Sequence, residues 1–244
     1  MPIETSRLYI HPFPTTDGEG DAIVSFWSKL YLNPRVSAGW DSAPSPASKF
    51  APEKLVAWRD KLRRRCEQHG YGAHPVELKL AEARRLVVPP PAAAAAANDN
   101  DGGSSSHSHA DDDDDDDDDV PTGPNGGPII GVIELRTLTL AEFPTSLADK
   151  TVTEGDVELA YFFHPLAWGR GIATEAVAAL VDWAMKNNND DSSSGPRLKM
   201  VSGSCVDSNS ASKKVMQAAG LKPVEGSLGF NPETEVYFRR IAPA

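Results

Sequence analysis

The segment from Val157 to Ala176 constrains the fold of this chain more than any other. Its first seven residues, VELAYFF, are mostly apolar, β-branched or aromatic, which predicts a buried strand. A short loop with two glycines follows, and apolar residues then recur at helical spacing as far as Ala184. A strand that passes through a tight loop into a helix is typical of α/β domains.

The loop between this strand and helix has the composition of an anion site. The first N–H groups of a helix lack partners within the helix, and the helix dipole makes that end positive. Gly169 and Gly171 therefore suit a phosphate or diphosphate, with Arg170 and the Thr174 hydroxyl as further contacts. A P-loop is excluded because no Lys-Ser/Thr pair follows the glycines, and Thr174 stands where a dinucleotide-binding fingerprint needs a third glycine.

Residues 89–127 differ in composition from the rest of the chain. They begin with three prolines and six alanines and include nine consecutive aspartates. Such a stretch has little apolar surface to offset its ordering entropy, and adjacent aspartates repel one another, which predicts disorder. Because strand-like residues flank it at 76–88 and 129–137, we interpret it as an enlarged hairpin loop inserted into a single domain spanning 3–241.

The acidity of the chain is local. The 244 residues carry a net charge of -11, but eleven of the 35 Asp and Glu lie between 99 and 119, and the other 24 equal the number of Lys and Arg. This balance leaves no excess of basic residues to drive binding to nucleic acid. No apolar run is long enough to span a membrane. The two cysteines lie far apart, so they form neither a disulfide scaffold nor a CxxC metal site. We therefore expect a cytoplasmic protein, with a nuclear location also allowed. It is expected to be a monomer or homodimer that uses no metal and binds neither nucleic acid nor membrane.

The remaining pattern predicts alternating strands and helices. The predicted elements are a strand at 5–13, helices at 21–30 and 52–68, a helix at 171–186, a strand at 198–204, a short helix capped by Asp207 or Ser208 and ended by Gly220, and strands at 221–224 and 235–241. The fold class that follows is α/β with a mixed sheet.

Three segments occur in an order that characterises one protein family. They are ETSRL at 4–8, HPLAWGRGIATEA at 164–176 and NSASKKVMQAAGL at 209–221. Together they resemble the GNAT N-acetyltransferases, and in detail the subgroup that acetylates N-terminal alanine of ribosomal proteins. Trp168 stands where the general family pattern has Gln or Arg, and this subgroup shares that departure. The resemblance implies a central, mostly antiparallel sheet that is splayed at the cofactor site and flanked by about four helices.

The resemblance also implies direct transfer of the acetyl group of acetyl-CoA to a primary amine. In this family the pantetheine of the cofactor pairs with the edge of the splayed strand, so the main chain at Phe162 and Phe163 would hold it. The other acetyl-CoA contacts that the resemblance implies are Trp168, Gly169, Arg170, Gly171, Ile172, Ala173 and Thr174 in the loop, and Asn209 and Ser212 at the last helix.

Proton transfer needs a base for the ammonium of the acceptor. Glu158 and Glu134 are the candidates, and His164 is a further one. In an unbroken strand Glu158 and Phe163 point to opposite faces, and a bulge near Tyr161 would change this.

The leaving thiolate needs a proton as well. Met216 stands where many members of the family have a tyrosine acid, so Ser212 or a water would replace it. Cys205 has no evident partner for nucleophilic catalysis and is interpreted as a core residue.

The acceptor is left open between a protein N-terminus and a small amine. Residues 21–70 and 226–237 are expected to form its wall, where Trp27, Trp40 and Trp58 either line the site or fill the core. The alternative function is a noncatalytic acyl-CoA-binding module or scaffold that uses the acidic insertion, and the missing tyrosine favours it.

Overall fold

The computed structural model describes residues 1–37, 50–87, 120–137, 155–187, 198–224 and 235–242. Eight strands in these residues form one sheet in the order β1-β2-β3-β4-β5-β6-β8-β7. They are β1 (Ile3–Glu4), β2 (Leu8–Ile10), β3 (Ala73–Leu78), β4 (Ile129–Thr137), β5 (Asp156–Phe163), β6 (Met200–Val206), β7 (Lys222–Val224) and β8 (Glu235–Ile241). Neighbouring strands are antiparallel except β5 and β6, which run parallel. The predicted mixed, mostly antiparallel sheet is confirmed.

Helices cover both faces of this sheet. In the described ranges they are α1 (Asp17–Leu32), α2 (Pro34–Ser37), α3 (Pro52–His69), α4 (Leu80–Val87), α5 (Ile172–Asn187) and α6 (Ser210–Ala218). Buried residues of α5 and α6 form one core with the sheet, and those of α1 and α3 form a second core on the opposite face. The expected four flanking helices are α1, α3, α5 and α6, and the short α2 and α4 are additional.

The first predicted strand is divided. Instead of one strand at 5–13, β1 and β2 pair as an antiparallel hairpin. The Thr5 N–H donates to the Leu8 carbonyl at 3.0 Å, which closes a turn between the two strands. The alternating pattern indicated extended chain, but it carried no signal for this turn.

The strand predicted on the N-terminal side of the insertion is also shorter than expected. β3 ends at Leu78, opposite Leu8 of β2, and α4 begins at Leu80. The sequence LAEARRLV consists mainly of strong helix formers with apolar residues three and four positions apart. The strand-like interpretation of 76–88 is therefore wrong beyond Leu78, because helix preference prevails where the pairing with β2 stops.

The C-terminal end of the predicted insertion is ordered. β3 and β4 form the predicted antiparallel hairpin, and the turn before β4 packs against it. The Gly127 N–H donates to the buried carboxylate of Glu77 at 2.8 Å, and His11 Nε2 lies 2.8 Å from the same group. The prediction of disorder is wrong for 120–127, because composition does not reveal that a buried carboxylate on the neighbouring strand supplies a partner for this turn. Residues 88–119 lie outside the described residues.

Candidate acetyl-CoA site

A cleft opens where β5 and β6 separate. Their parallel pairing runs from Asp156 opposite Met200 to Glu158 opposite Ser202 and ends there, whereas β5 stays paired with β4 as far as Phe163. The resulting cleft has a volume of about 700 Å³. The end of β5, the loop before α5, the start of α6 and the short α2 line it. The splay that the family resemblance implies is therefore present.

The phase of the β4–β5 pairing determines which main-chain groups of β5 face this cleft. The His164 N–H donates to the Ile130 carbonyl at 2.9 Å, and hydrogen-bonded pairs alternate along an antiparallel ladder. The main chain of Phe162 therefore faces β4, whereas that of Tyr161 and Phe163 faces the cleft. The structure corrects the expected main-chain contacts from Phe162 and Phe163 to Tyr161 and Phe163. The Phe162 side chain still lines the cleft.

The glycine loop presents open backbone at one end of the cleft. Gly169 and Gly171 have φ values of 70° and 71°, in the left-handed region that side chains disfavour. No atom lies within 4 Å of the position that a Cβ would take at Gly169. The first N–H to bond back within α5 is that of Glu175, which donates to the Gly171 carbonyl at 3.0 Å. The amides of the three residues before Glu175 have no partner within the helix, and Ile172, like the two glycines, lines the cleft.

Trp168, before the first glycine, and Arg170, between the two glycines, have different roles. The Trp168 indole Nε1 donates to the Phe163 carbonyl at 2.9 Å, and its ring lies 5.4 Å from the guanidinium of Arg35 at the cleft wall. The Arg170 side chain is exposed and does not line the cleft, and its carbonyl accepts from Arg7 Nη1 at 2.8 Å. Of the predicted loop residues, Arg170 is the one that the structure leaves outside the cleft wall.

The start of α6 forms the facing wall. The Asn209 side-chain oxygen accepts the Ser212 N–H at 3.0 Å, so Asn209 is the N-cap, and the prediction of Asp207 or Ser208 as the cap is wrong. Both Asn209 and Ser212 line the cleft. The Asn209 side-chain oxygen is therefore committed to the helix.

Tyr161 is a functional candidate that sequence reasoning missed. Its hydroxyl donates to the Ser212 carbonyl at 3.2 Å, and burial raises its pKa well above the ordinary value. Met216, by contrast, is buried under β6, where its sulfur lies 2.9 Å from the position of a Cβ at Gly203. The available signal was strand parity, since Tyr161 shares a face of β5 with Phe163.

The two predicted carboxylates lie together on the other face of the sheet. Glu134 accepts from Arg65 at 2.8 Å and Glu158 from Arg136 at 2.7 Å, and the Arg136 Nε lies 3.8 Å from Glu134. Each carboxylate residue is only 5% exposed. Burial raises the pKa of Glu134, although Arg136 and Arg65 lower it in part.

Glu158 and Phe163 point to opposite faces of β5, as strand alternation predicts. The register of β4 against β5 is continuous from Phe163 to Val157, so the pairing contains no bulge at Tyr161. Neither Glu134 nor Glu158 is part of the cleft wall.

An aromatic cluster adjoins the carboxylates on this face. Tyr31 lies 4.8 Å from Phe162 and 6.1 Å from Trp58 between ring centroids, and burial raises its pKa to about 12. Trp27 is 1% exposed and packs 4.8 Å from Trp58, so it fills the core. Trp40 lies outside the described residues.

The other candidates have structural roles. His164 Nδ1 accepts the Leu166 N–H at 3.3 Å and caps the single turn before the glycine loop. The Cys205 sulfur lies 4.0 Å from the Asn209 carbonyl and does not line the cleft. In the described part of the chain, no group of three His, Cys, Asp or Glu could hold a metal, and no helix could cross a membrane.

Comparison with known proteins identifies the segment that builds this cleft. Residues 107–222, which include β4, β5, α5, β6 and α6, match the family model described as an acetyltransferase (GNAT) domain. No curated protein sequence matches the chain.

The fold is similar to those of several solved acetyltransferases. An acetyltransferase from Agrobacterium tumefaciens strain C58 is 17% identical, with 98% of this chain and 94% of that chain covered and a TM-score of 0.56. Ribosomal-protein-S5-alanine acetyltransferase from Vibrio fischeri is 15% identical, with 99% and 97% covered and a TM-score of 0.55. Spermidine N-acetyltransferase from Vibrio cholerae, solved with CoA and spermine, is 11% identical, with 98% and 97% covered and a TM-score of 0.55.

Proposed function

Since the chain contains a GNAT acetyltransferase domain, we propose that it transfers the acetyl group of acetyl-CoA to the primary amine of a protein N-terminus or of a small molecule. The observation that carries this proposal is the cleft between β5 and β6, which ends at two glycines with positive φ and at the first amides of α5, which have no partner within the helix. Acetyl-CoA supplies an acetyl group activated as a thioester. The residues around the cleft supply binding and proton transfer.

The diphosphate of CoA fits the loop from Gly169 to Thr174. A bulky anion can approach this main chain because neither glycine presents a side chain, and the α5 dipole favours negative charge there. Among the residues that the structure describes, the cleft wall also contains Arg35 and Lys214 and no Asp or Glu, although the whole chain is acidic. The local charge therefore complements the phosphates of CoA.

The pantetheine arm fits the free edge of β5. The main-chain groups of Tyr161 and the N–H of Phe163 face the cleft, so an amide-containing chain can pair with them as an added strand would. The Phe163 carbonyl already accepts the Trp168 indole N–H at 2.9 Å. The Asn209 amide lies on the facing wall. An N–H of this edge would also stabilise the negative charge that develops on the thioester oxygen during attack.

We assign the base to the carboxylate face. The amine must be neutral to attack, and its proton is best taken by a group whose pKa is shifted towards neutrality. Glu134 meets this requirement because burial raises its pKa by more than its partners Arg136 and Arg65 lower it, although Arg65 lies 2.8 Å away. Glu158 is paired with Arg136 at 2.7 Å. Glu134 is therefore the proposed base and Glu158 its electrostatic neighbour, with a water able to relay the proton.

We assign the acid to Tyr161. Burial raises the pKa of its hydroxyl, so Tyr161 would assist the leaving thiolate by donating a hydrogen bond rather than by losing its proton completely. The hydroxyl lies at the Ser212 carbonyl beside the cleft. This tyrosine reaches the start of α6 from β5, which compensates for the methionine at position 216. Ser212 itself remains the alternative donor, since it also lines the cleft.

The acceptor class is suggested by similarity only. One similar structure is a ribosomal-protein alanine acetyltransferase and another is a spermidine acetyltransferase. The buried carboxylates and the adjoining aromatic rings suit an amine that arrives on the α1–α3 face of the sheet. A protein N-terminus and a polyamine both satisfy this chemistry.

The direct test is an acceptor panel. The protein is incubated with acetyl-CoA and with peptides of varied N-terminal residue, polyamines and amino sugars, and the release of free thiol is followed. Acetylation of at least one amine, with one thiol released for each amide formed, is the expected result. Binding of CoA without turnover on any amine would instead indicate a noncatalytic acyl-CoA-binding module.

A further inference from the structure

Arg7 joins the N-terminal hairpin to the glycine loop. Its Nη1 donates to the Arg170 carbonyl at 2.8 Å, and its Nε donates to the Glu175 carboxylate at 2.7 Å. The main-chain N–H of Arg7 also donates to Glu175, at 3.0 Å. One guanidinium therefore contacts the middle of the loop and the first turn of α5 at the same time, in the forked geometry that arginine favours.

The bond to Arg170 fixes the orientation of one peptide plane. In a trans peptide the C=O and the following N–H point in opposite directions. Arg7 does not line the cleft, so a carbonyl held by Arg7 turns the Gly171 N–H away from Arg7 and towards the cleft that Gly171 lines. Because glycine at φ 71° has no side chain to hold it, this peptide would otherwise rotate with little resistance.

Glu175 determines the position of Arg7. Its carboxylate accepts the Thr5 hydroxyl at 2.6 Å and the Ser6 hydroxyl at 2.9 Å, in addition to Arg7. Although partial burial raises its pKa, the hydrogen bonds from Thr5, Arg7 and Ser6 lower the pKa of Glu175 to about 2. The group stays ionised at neutral pH, and the positive charge of Arg7 offsets a carboxylate that would otherwise oppose an anion at the start of α5.

We infer that Arg7 is a positioning residue for the diphosphate of CoA: it holds the Arg170–Gly171 peptide so that the Gly171 N–H points into the cleft, and it neutralises Glu175. This inference rests on the proposed function. It assigns a part in cofactor binding to the N-terminal hairpin, which lies outside the matched segment 107–222. Arg7 acts on the ligand through the loop and does not touch it.

The central comparison uses two ligands on three proteins, and Arg7→Lys is measured as a fourth. CoA contains the diphosphate and pantetheine lacks it, so the ratio of their affinities reports on the loop. The variants are Arg7→Met, which keeps the stem and removes the donors, and the control Lys79→Met. Lys79 donates to Glu4 at 2.8 Å and to the Thr5 carbonyl at 2.6 Å, and it therefore braces the same hairpin without contacting the loop. CoA binding is measured by calorimetry and pantetheine binding by ligand-observed NMR, below the melting temperature of each protein.

We expect Arg7→Met to weaken CoA binding about 10- to 100-fold, the effect of losing one charge-assisted hydrogen bond. Pantetheine affinity should stay unchanged, and Lys79→Met should keep the wild-type affinity for both ligands. Arg7→Lys retains the charge but not the fork, and it should fall between Arg7→Met and the wild type.

Three outcomes would overturn the inference. Wild-type CoA affinity in Arg7→Met would exclude a positioning role. An equal loss for CoA and pantetheine, or the same loss in Lys79→Met, would reduce Arg7 to a general structural brace. If the wild-type protein binds neither pantetheine nor CoA, the proposed function itself is contradicted. That result is obtained before any variant is measured.

Discussion

Alternate side chains of β5 serve the two halves of the proposed reaction. Tyr161 and Phe163 face α5 and α6, where CoA is proposed to bind, whereas Glu158 and Phe162 face α1 and α3, where the amine is proposed to arrive. This division follows from the period of two along a strand. The proposed base, Glu134 of β4, lies beside Glu158 on the α1–α3 face, and the proposed acid, Tyr161, lies on the opposite face. The thioester must therefore lie in the gap between β5 and β6.

Substitution of Glu134 tests the base. In the wild type, kcat/KM should rise with pH as Glu134 loses its proton, and because burial raises its pKa this rise should lie above the ordinary carboxyl range. Glu134→Gln should lower kcat/KM about 100-fold or more at neutral pH and remove that limb of the profile. Glu158→Gln is the matched control on the same face and should keep the limb. If the rise of kcat/KM with pH disappears in Glu158→Gln and persists in Glu134→Gln, Glu158 is the base instead.

Substitution of Tyr161 tests the acid. Tyr161→Phe removes the hydroxyl beside Ser212 but keeps the ring, so CoA affinity should be unchanged. We expect kcat to fall about 10-fold, a modest loss because a thiol with a pKa near 8.5 leaves readily without full protonation. Single-turnover kinetics would measure it, with Tyr9→Phe as a control because Tyr9 does not line the cleft. An unchanged kcat in Tyr161→Phe would remove the assignment.

At the scale of single elements, the N-terminus of α6 depends on one side chain. Asn209 accepts the Ser212 N–H at 3.0 Å. Asn209→Ala should therefore lower the free energy of unfolding by about 1 kcal/mol in urea denaturation, the usual value of an N-cap. Ser210→Ala, one position further and without a capping bond, should change stability by less than about 0.5 kcal/mol. Equal effects of the two substitutions would contradict the capping role.

The elements were predictable where one periodic signal dominated. α3, α5 and β8 were predicted to within a residue or two of their observed bounds, since each has clear apolar spacing and end signals. The sequence of α4 predicts a strand because eight residues with many apolar positions fit both the period of a strand and that of a helix. Helix preference prevails in the folded chain, where pairing with β2 ends at Leu78. The cap of α6 was misplaced because Asp207, Ser208 and Asn209 are all good caps, and only the geometry selects among them.

The site was predictable to the extent that it is local. The predicted loop residues 168–174 line the cleft except Arg170, because strand, glycines and helix are contiguous in sequence. Tyr161 and Arg7 were missed because their partners lie far along the chain: the Ser212 carbonyl is 51 residues from Tyr161, and the Arg170 carbonyl is 163 residues from Arg7. Strand parity places Tyr161 on the same face as Phe163, but no spacing rule connects Tyr161 or Arg7 to its distant partner before the sheet order is known.

At the scale of the whole molecule, the acidic segment should be dispensable for folding. The turn at 120–127 follows the acidic segment and closes the β3–β4 hairpin, because the Gly127 N–H donates to the buried Glu77 carboxylate. Replacing residues 92–118 by a four-residue Gly-Ser linker should leave the melting temperature within about 2 °C of the wild type, since loop-closure cost changes slowly with length. Scanning calorimetry measures this. A fall of more than about 5 °C would mean that the segment contributes roughly a kcal/mol or more of packing.

The central claim is that open backbone at the glycine loop binds the diphosphate of CoA, and a pair of matched glycine substitutions tests it most directly. Gly171 and Gly70 both have φ near 71°, and at neither would an added Cβ meet an atom closer than 3.6 Å. Gly171→Ala and Gly70→Ala therefore impose the same backbone strain of about 1–2 kcal/mol, one at the cleft and one at the end of α3. Calorimetric titration with CoA should show an affinity at least 10-fold weaker in Gly171→Ala and unchanged in Gly70→Ala. Equal CoA affinity in the two variants would contradict the claim.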